Sequence, residues 1–218
     1  VIGEPVEELY WRVGFHEDPV GFVPHELCAW NHRFDDLHHR FRTVYVAELA
    51  ETAVREVLAD FRPKLSAIAD FEAAMGDEAA SELPSAPITA AWREQHVLAQ
   101  ASVVLEGRIS DLTDPDERQS VEERHAALLS EHQMEHLDLH EITTARRVVT
   151  QTIAADLYDR GVAAIRFLSR LDGRACVALF EGRGELELAG APVALTDPPA
   201  AELLRVTGAW HLRLEPCP

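Results

Sequence analysis

The sequence is poor in cysteine, in positive charge and in long apolar runs, and each deficit excludes something. Three cysteines, Cys28, Cys176 and Cys217, are few, far apart and odd in number. They form neither a disulfide framework nor a zinc spacing, and they point to a reducing, cytoplasmic setting. Basic residues number 20 against 38 acidic ones, a formal net charge of -18. Phosphate backbones and anionic membranes repel such a chain, which argues against direct nucleic-acid or membrane binding and favours a partner with a basic surface. No apolar stretch approaches the roughly 20 residues of a membrane helix, and the N-terminus lacks the charged-then-apolar pattern of a signal peptide. The chain begins at Val1 rather than Met, which leaves a trimmed upstream segment open. No low-complexity tract interrupts the 218 residues, 47% of them hydrophobic, so one compact domain over 1–218 is expected.

The densest signal lies in residues 31–58. Arg33 precedes Val44-Tyr45-Val46-Ala47, a β-branched and aromatic run that predicts a strand. Val54, Val57, Leu58 and Phe61 then recur at helical period and Pro63 closes the pattern, which predicts a helix carrying Glu56. Upstream, a strand is predicted over Glu8 to Val13, with Arg12 after Leu9-Tyr10-Trp11, and a loop punctuated by Gly and Pro leads on to Arg33. Residues 63–107 are rich in Ala and acids and read as an insertion or variable segment. It holds a helix over Leu65 to Met75, a Pro-containing break at Leu83 to Pro87 and a strand over His96 to Leu105, all taken as scaffold and pocket wall. A strand over Arg108 to Asp111 and a helix over Pro115 to His132 follow. Arg146 to Arg160 predicts a second helix, ended by Gly161 in a left-handed cap. Ile165 to Leu168 and Ala175 to Phe180 read as strands joined at Asp172-Gly173, with Ser169 at the exit of the first. The tail predicts a short helix near Ala200 to Val206 and a last strand over Trp210 to Leu214. Without strict βαβ alternation, the fold class is α+β, a mixed or antiparallel sheet flanked by helices.

His132, His136 and His140 recur every four residues, a spacing that on one continuous helix would invite a metal. Leu137-Asp138-Leu139-His140 alternates like a short strand, however, which breaks the register, so these histidines read as solvated or structural and no metal is expected. A resemblance carried by the order of residues along the chain singles out Arg12, Arg33, Tyr45, Glu56 and Ser169, a set that contains no thiol nucleophile, no metal cage and no Ser-His-Asp arrangement. Arginines bind phosphate by paired hydrogen bonds, and an aromatic ring offers a flat face to a planar base. A diphosphate-linked nucleotide fits. Hydrolysis of an ordinary glycoside needs two carboxylates because the leaving oxygen must be protonated. Where the leaving group is already cationic and departs neutral, as the nicotinamide of NAD does, one carboxylate would suffice to hold the ribose hydroxyls and stabilise the oxocarbenium-like charge; the residues permit such a substrate without identifying it.

Taken singly, each residue has a plainer reading. Glu56 lies opposite the Val54-Val57-Phe61 stripe, as a solvated charge does. Tyr45 fits a strand core, Arg33 an ion pair with Asp35 or Asp36, Arg12 an edge-strand surface charge, and Ser169 a turn.

The order of these residues resembles the RES domain family, named for its arginine, glutamate and serine. An Arg is followed by Val-x-Tyr-x-Ala, then by Glu-Thr-Ala-x-x-Glu-Val-Leu on a helix, and late in the chain by GVAAIRFLSRLDGRACVALFEG at residues 161–182, preceded by the helical TARRVVTQTIAADLYDRG. The likeness runs from about Leu9 to Phe180. It departs in having Trp11 interposed before Arg12, His32 where a Gly is usual, and a longer loop at Leu37 to Arg40. The resemblance implies an ADP-ribosyltransferase-like fold and a toxin that depletes NAD by hydrolysis or phosphorolysis. It implies that Arg33 and Arg12 bind pyrophosphate, Tyr45 packs against the nicotinamide-ribose end, Glu56 is the catalytic carboxylate and Ser169 completes the pocket. NAD is then substrate rather than cofactor, with inorganic phosphate as co-substrate if the reaction is phosphorolysis, and the partner is a helix-turn-helix antitoxin of Xre type. Transfer of ADP-ribose to a macromolecule and a catalytically silent binding module are the alternatives, and the oligomeric state stays open.

Overall fold

The computed structural model describes residues 8–75, 86–144 and 146–217. Its centre is a sheet of β1 (Leu9–Phe15), β2 (Thr43–Ala47), β3 (His96–Leu105), β4 (Arg108–Asp111), β5 (Val162–Leu168), β6 (Ala175–Phe180), β7 (Gly184–Leu188) and the short β8 (Val193–Ala194). The order across the sheet is β4-β5-β6-β2-β1-β3-β7, with β8 also on β3. Only β4 and β5 are parallel; all other pairs are antiparallel. That exception has a cause, since parallel neighbours need a long crossover and the helices between residues 115 and 159 supply it. The fold is α+β with a mixed sheet, as the element order predicts.

Residues of period two divide the sheet into two faces. One carries Val13, Ala47, Leu98, Ile165, Phe167, Ala178 and Phe180 and packs against α1 (Ala50–Leu58), α7 (Arg147–Asp159) and α8 (Ala201–Ala209) through Val54, Leu58, Ile153, Leu157, Leu203 and Val206. The other carries Tyr10, Val44, Val46, Ala101, Ala164, Val177 and Leu179, against which Val20 and Phe22 of the loop after β1 are packed. Burying a Leu, Val or Phe contributes roughly 1.5–3 kcal/mol, and the helical face holds most of these residues, so it is the main source of stability.

The 63–107 segment is not one unit. Its helix α2 (Leu65–Met75) begins with Leu65 largely in solvent, whereas β3 pairs with β1 along the whole of β1, from Leu9 opposite Ser102 to Phe15 opposite His96. The second half therefore builds an interior strand of the sheet, between β1 and β7. Most of the Pro-containing break at Leu83 to Pro87 lies outside the described residues. Between them stands α3 (Ala90–Gln95), capped by the Thr89 hydroxyl, which accepts from the Trp92 amide at 3.1 Å.

Other departures have local causes. The predicted helix over Pro115 to His132 is two helices, α4 (Pro115–Arg124) and α5 (Ala126–Glu131), broken at His125, whose ring is drawn to Asp156 of α7 at 3.2 Å. Leu137 to His140 is not a strand. Leu139 starts a short helix, α6 (Leu139–Thr143), and the helical register is already lost at Gln133, which has φ +57°. The tail's last strand reduces to one parallel bridge of Leu214 to Ile88, and the turn at Glu181 to Arg183 opens into a strand, β7, that lacks a strong apolar run. Val57 is 37% exposed, because the buried arc of α1 runs through Ala53, Val54 and Leu58 instead.

Candidate functional site

The Arg33 loop is built before its arginine can do anything. Asp35 accepts the His32 amide at 2.8 Å and the Tyr45 hydroxyl at 3.2 Å, while the same Tyr45 oxygen accepts the Phe34 amide at 2.9 Å. From α7, Thr150 donates to the Arg33 carbonyl at 2.7 Å, Gln151 donates to the His32 carbonyl at 3.0 Å, and Arg147 holds the Asn31 carbonyl. The longer loop that follows is closed by Asp36, wholly buried, which takes the Arg40 amide at 2.7 Å and the Arg40 guanidinium at 3.0 and 3.1 Å. Burial alone would push the Asp36 carboxyl pKa up, but these bonds hold it below the usual range. Trp30 and His39, both at positive φ, stack at 4.4 Å across the loop.

Arg33 is therefore not paired with Asp35 or Asp36. Its guanidinium donates to the carbonyls of Ile142, Thr143 (3.1 Å) and Thr144 (3.0 Å) at the C-terminal end of α6, which leaves orphan acceptors there. Burial lowers the Arg33 pKa, Glu56 opposes that shift, and the charges of Arg170 and Arg147 add to it. The charges of Glu56, Arg170 and Arg147 are thus felt at Arg33.

Glu56 reaches it from α1. The Ser169 hydroxyl, 2% exposed, donates to Glu56 Oε1 at 2.5 Å and accepts the Leu171 amide at 3.1 Å. One helical turn before Glu56, the Thr52 hydroxyl donates to Asp172 Oδ2 at 2.7 Å. The face of α1 opposite its core stripe is therefore docked along the Ser169–Arg174 turn, and Glu56 keeps an exposed edge beside it. The turn is held by the Ser169 amide on the Arg174 carbonyl at 2.8 Å and by Gly173 at φ +71°. Burial raises the pKa of Cys176 beneath the turn, and the Glu56 charge adds to the shift, so this thiol is neutral and no nucleophile.

Tyr45 stands on the same face. Its ring meets Phe167 edge-on at 6.4 Å and His32 at 5.8 Å. Burial raises its pKa well above the ordinary phenol value, with the Asp35 charge adding, so the hydroxyl stays protonated and bonded to the loop.

Arg12 is not in this group. Trp11 is paired with Ala47 across β1 and β2 and shares the Tyr45 face, so Arg12 points to the other one. It is 8% exposed, and its guanidinium donates to the carbonyls of Gly21 (2.5 Å) and Pro19 (3.4 Å) in the loop after β1. Burial brings its pKa down to about 10. The interposed Trp11 explains the change: one extra residue in a strand reverses the side to which every later side chain points.

A family model described as the RES domain matches residues 9–201. The chain belongs to the RES domain family. Among curated proteins none matches it. A crystal structure described as the M. tuberculosis MbcT-MbcA toxin-antitoxin complex is similar with a TM-score of 0.48 and 18% identity, over 86% of this chain and 84% of that one. Of the residues singled out in this RES protein's sequence, Arg33, Tyr45, Glu56 and Ser169 come together and Arg12 does not. Arg147, Arg170 and the Thr52–Asp172 clamp were passed over. Thr52 does lie four residues before Glu56, which puts both on one helical face.

Two further features bear on ligands. A cavity of about 540 Å³ beside α6 is lined by residues that include Met134, His136, Asp138, His140, Glu141 and Arg146. Among the described residues no three His, Cys, Asp or Glu side chains are grouped to hold a metal ion, and no helix there is long and apolar enough to cross a membrane.

Proposed function

We propose that this RES protein is a toxin enzyme that cleaves the nicotinamide–ribose bond of NAD, with an Xre-type helix-turn-helix antitoxin as its partner and the cytoplasm as its place of action. The observation that carries the reading is the Ser169–Glu56 hydrogen bond, formed across 113 residues of chain beside Arg33. It fixes one carboxylate at an exposed edge without burying it, while the neighbouring carboxylate, Asp172, is taken up by the Thr52 hydroxyl. That suits a substrate whose leaving group departs as neutral nicotinamide and needs no proton.

In this mechanism Glu56 accepts hydrogen bonds from the ribose hydroxyls and stabilises positive charge developing at the anomeric carbon. Ser169 occupies one carboxylate oxygen and fixes the rotamer, leaving the other for the substrate. As the carbon–nitrogen bond breaks, its electron pair leaves with the ring. Water attacking the anomeric carbon gives ADP-ribose and one proton; phosphate attacking gives ADP-ribose phosphorylated at that carbon. Family membership supports the toxin role, and the acidic surface of the chain suits a basic antitoxin.

The test is NAD consumption by purified protein, wild type beside Glu56→Gln, with and without inorganic phosphate. The variant is expected to lose about 10²–10³-fold in rate, the magnitude of one removed transition-state charge contact, and phosphate dependence separates the two acceptors. A folded, partner-free wild type that consumes no NAD defeats the proposal; labelled protein or nucleic acid in place of free products would move it to transfer onto a macromolecule.

A further inference from the structure

The arginines singled out by the sequence and those near Glu56 are not equivalent. Arg33 spends three of the five N–H donors a guanidinium has on the carbonyls of residues 142 to 144. Arg147 is tied to the Asn31 carbonyl, and Arg55 to Glu51 at 2.6 Å. Arg12 is buried on the opposite face. Arg170 and Arg174, both exposed in the turn, make no side-chain hydrogen bond or ion pair among the described residues; of the two, Arg170 directly follows the buried Ser169, whose hydroxyl is on Glu56, and its charge is the one felt at Arg33. A site that must admit a dianionic diphosphate beside a carboxylate, on a chain of net charge -18, needs a nearby cation with its donors still available. Arginine meets a phosphate with two parallel N–H groups and stays charged at every physiological pH.

We propose that Arg170 is the residue that binds the diphosphate of the dinucleotide, and that Arg33 positions the loop and α6 rather than gripping phosphate itself. This rests on NAD being the substrate. The turn from Ser169 to Arg174 then does two things with adjacent residues: Ser169 orients the carboxylate that faces the ribose, and Arg170 holds the phosphates next to it. The rigid backbone of the turn, pinned at both ends by the Ser169 amide on Arg174 and the Gly173 amide on Ser169 at 2.8 and 2.9 Å, fixes their separation.

The experiment is equilibrium binding of ADP-ribose and of adenosine, which lacks phosphate, to wild type, Arg170→Ala and Arg170→Lys, with NAD kinetics alongside. Arg170→Ala is expected to weaken ADP-ribose by about tenfold or more, to leave adenosine unchanged, and to raise KM for NAD with kcat within about twofold. Arg170→Lys recovers part of the affinity, because it restores charge without the planar fork, and the loss shrinks at high salt. The melting temperature stays unchanged, since no bond within the fold is removed. ADP-ribose affinity that is insensitive to Arg170→Ala overturns this assignment alone. A folded wild type that binds neither ADP-ribose nor NAD overturns the NAD reading, and this one with it.

Discussion

Arg12 and Arg33 carry the same charge and invite the same reading, but they serve two different regions. The Arg12 region is a strand and its loop: a guanidinium enclosed under residues 16–24, satisfied by two backbone carbonyls and cut off from Glu56 by the sheet. The Arg33 region is a loop held from three sides, by Tyr45, by α6 and by α7, with Glu56 and two more arginines close by. Both guanidiniums are spent on backbone carbonyls of their own chain; what separates them is that Arg12 lies on the other face of the sheet, whereas the charges of Glu56, Arg147 and Arg170 are felt at Arg33. The difference is in the company each keeps, which charge and burial alone do not show.

The largest effect that would sharpen this contrast is on turnover. Arg33→Met is expected to lower NAD consumption by about 10²-fold through misplacement of the site, measured as kcat/KM. Arg12→Met should leave KM for NAD within about twofold in whatever fraction remains folded. A raised KM in folded Arg12→Met would break the comparison. On stability the ranking reverses. Arg12→Ala leaves a cavity and two unpartnered carbonyls and is expected to cost about 2–4 kcal/mol by denaturant unfolding.

Tyr45→Phe is the intermediate case. It removes the partner of the Phe34 amide and one bond to Asp35, at a cost of about 1–2 kcal/mol, and it loosens the backbone on which Arg33 stands. A calorimetric melting point and an NAD rate should fall together; an unchanged rate at reduced stability would separate Tyr45 from the site.

The smallest effect is on pH dependence, and it lies outside both regions. His96 is stacked on Trp92 at 4.4 Å; burial lowers its pKa below 6.5, the Trp92 carbonyl opposes this, and the Arg12 charge adds to it. Burial likewise lowers that of His125. A folded-state value below the unfolded one means that the unfolded chain takes up the proton first. These groups therefore cost no stability above about pH 6.5, and stability falls as pH drops from there through their folded values. Melting temperatures at pH 7.5, 6.5 and 5.5 should show the decline, and His96→Gln should flatten it. A rise in melting temperature over that range would contradict it.

Much of this was legible in the sequence. The strands β2, β3, β5 and β6 were marked by β-branched and apolar runs, and α1 and α7 by helical periodicity, because these elements bury a continuous face and composition must follow it. The order Arg33, Tyr45, Glu56, Ser169 was also visible, and the RES resemblance rested on it. Less was legible where side chains compete for distant partners. The break at His125 depends on Asp156, and the helix at Leu139 to Thr143 replaces an alternating pattern too short to decide its own conformation. β7 and β8 are held by their pairing with β3 rather than by a strong apolar pattern of their own.

The sequence by itself determined the α+β class, the main elements and the residues from which a site can be made, since periodicity, turn glycines and charge are local properties. Only the tertiary structure decided which of them meet. On a helical wheel Glu56 is a solvated charge. In the fold it is bound, because the Ser169–Arg174 turn, 113 residues away, docks against that face of α1 and takes up Thr52 and Glu56 together. Arg12 is parted from Arg33, Tyr45 and Glu56 for the converse reason, because strand register puts it on the other face of the sheet. Contacts between segments far apart in the chain depend on sheet order and register, and no single window of sequence contains either.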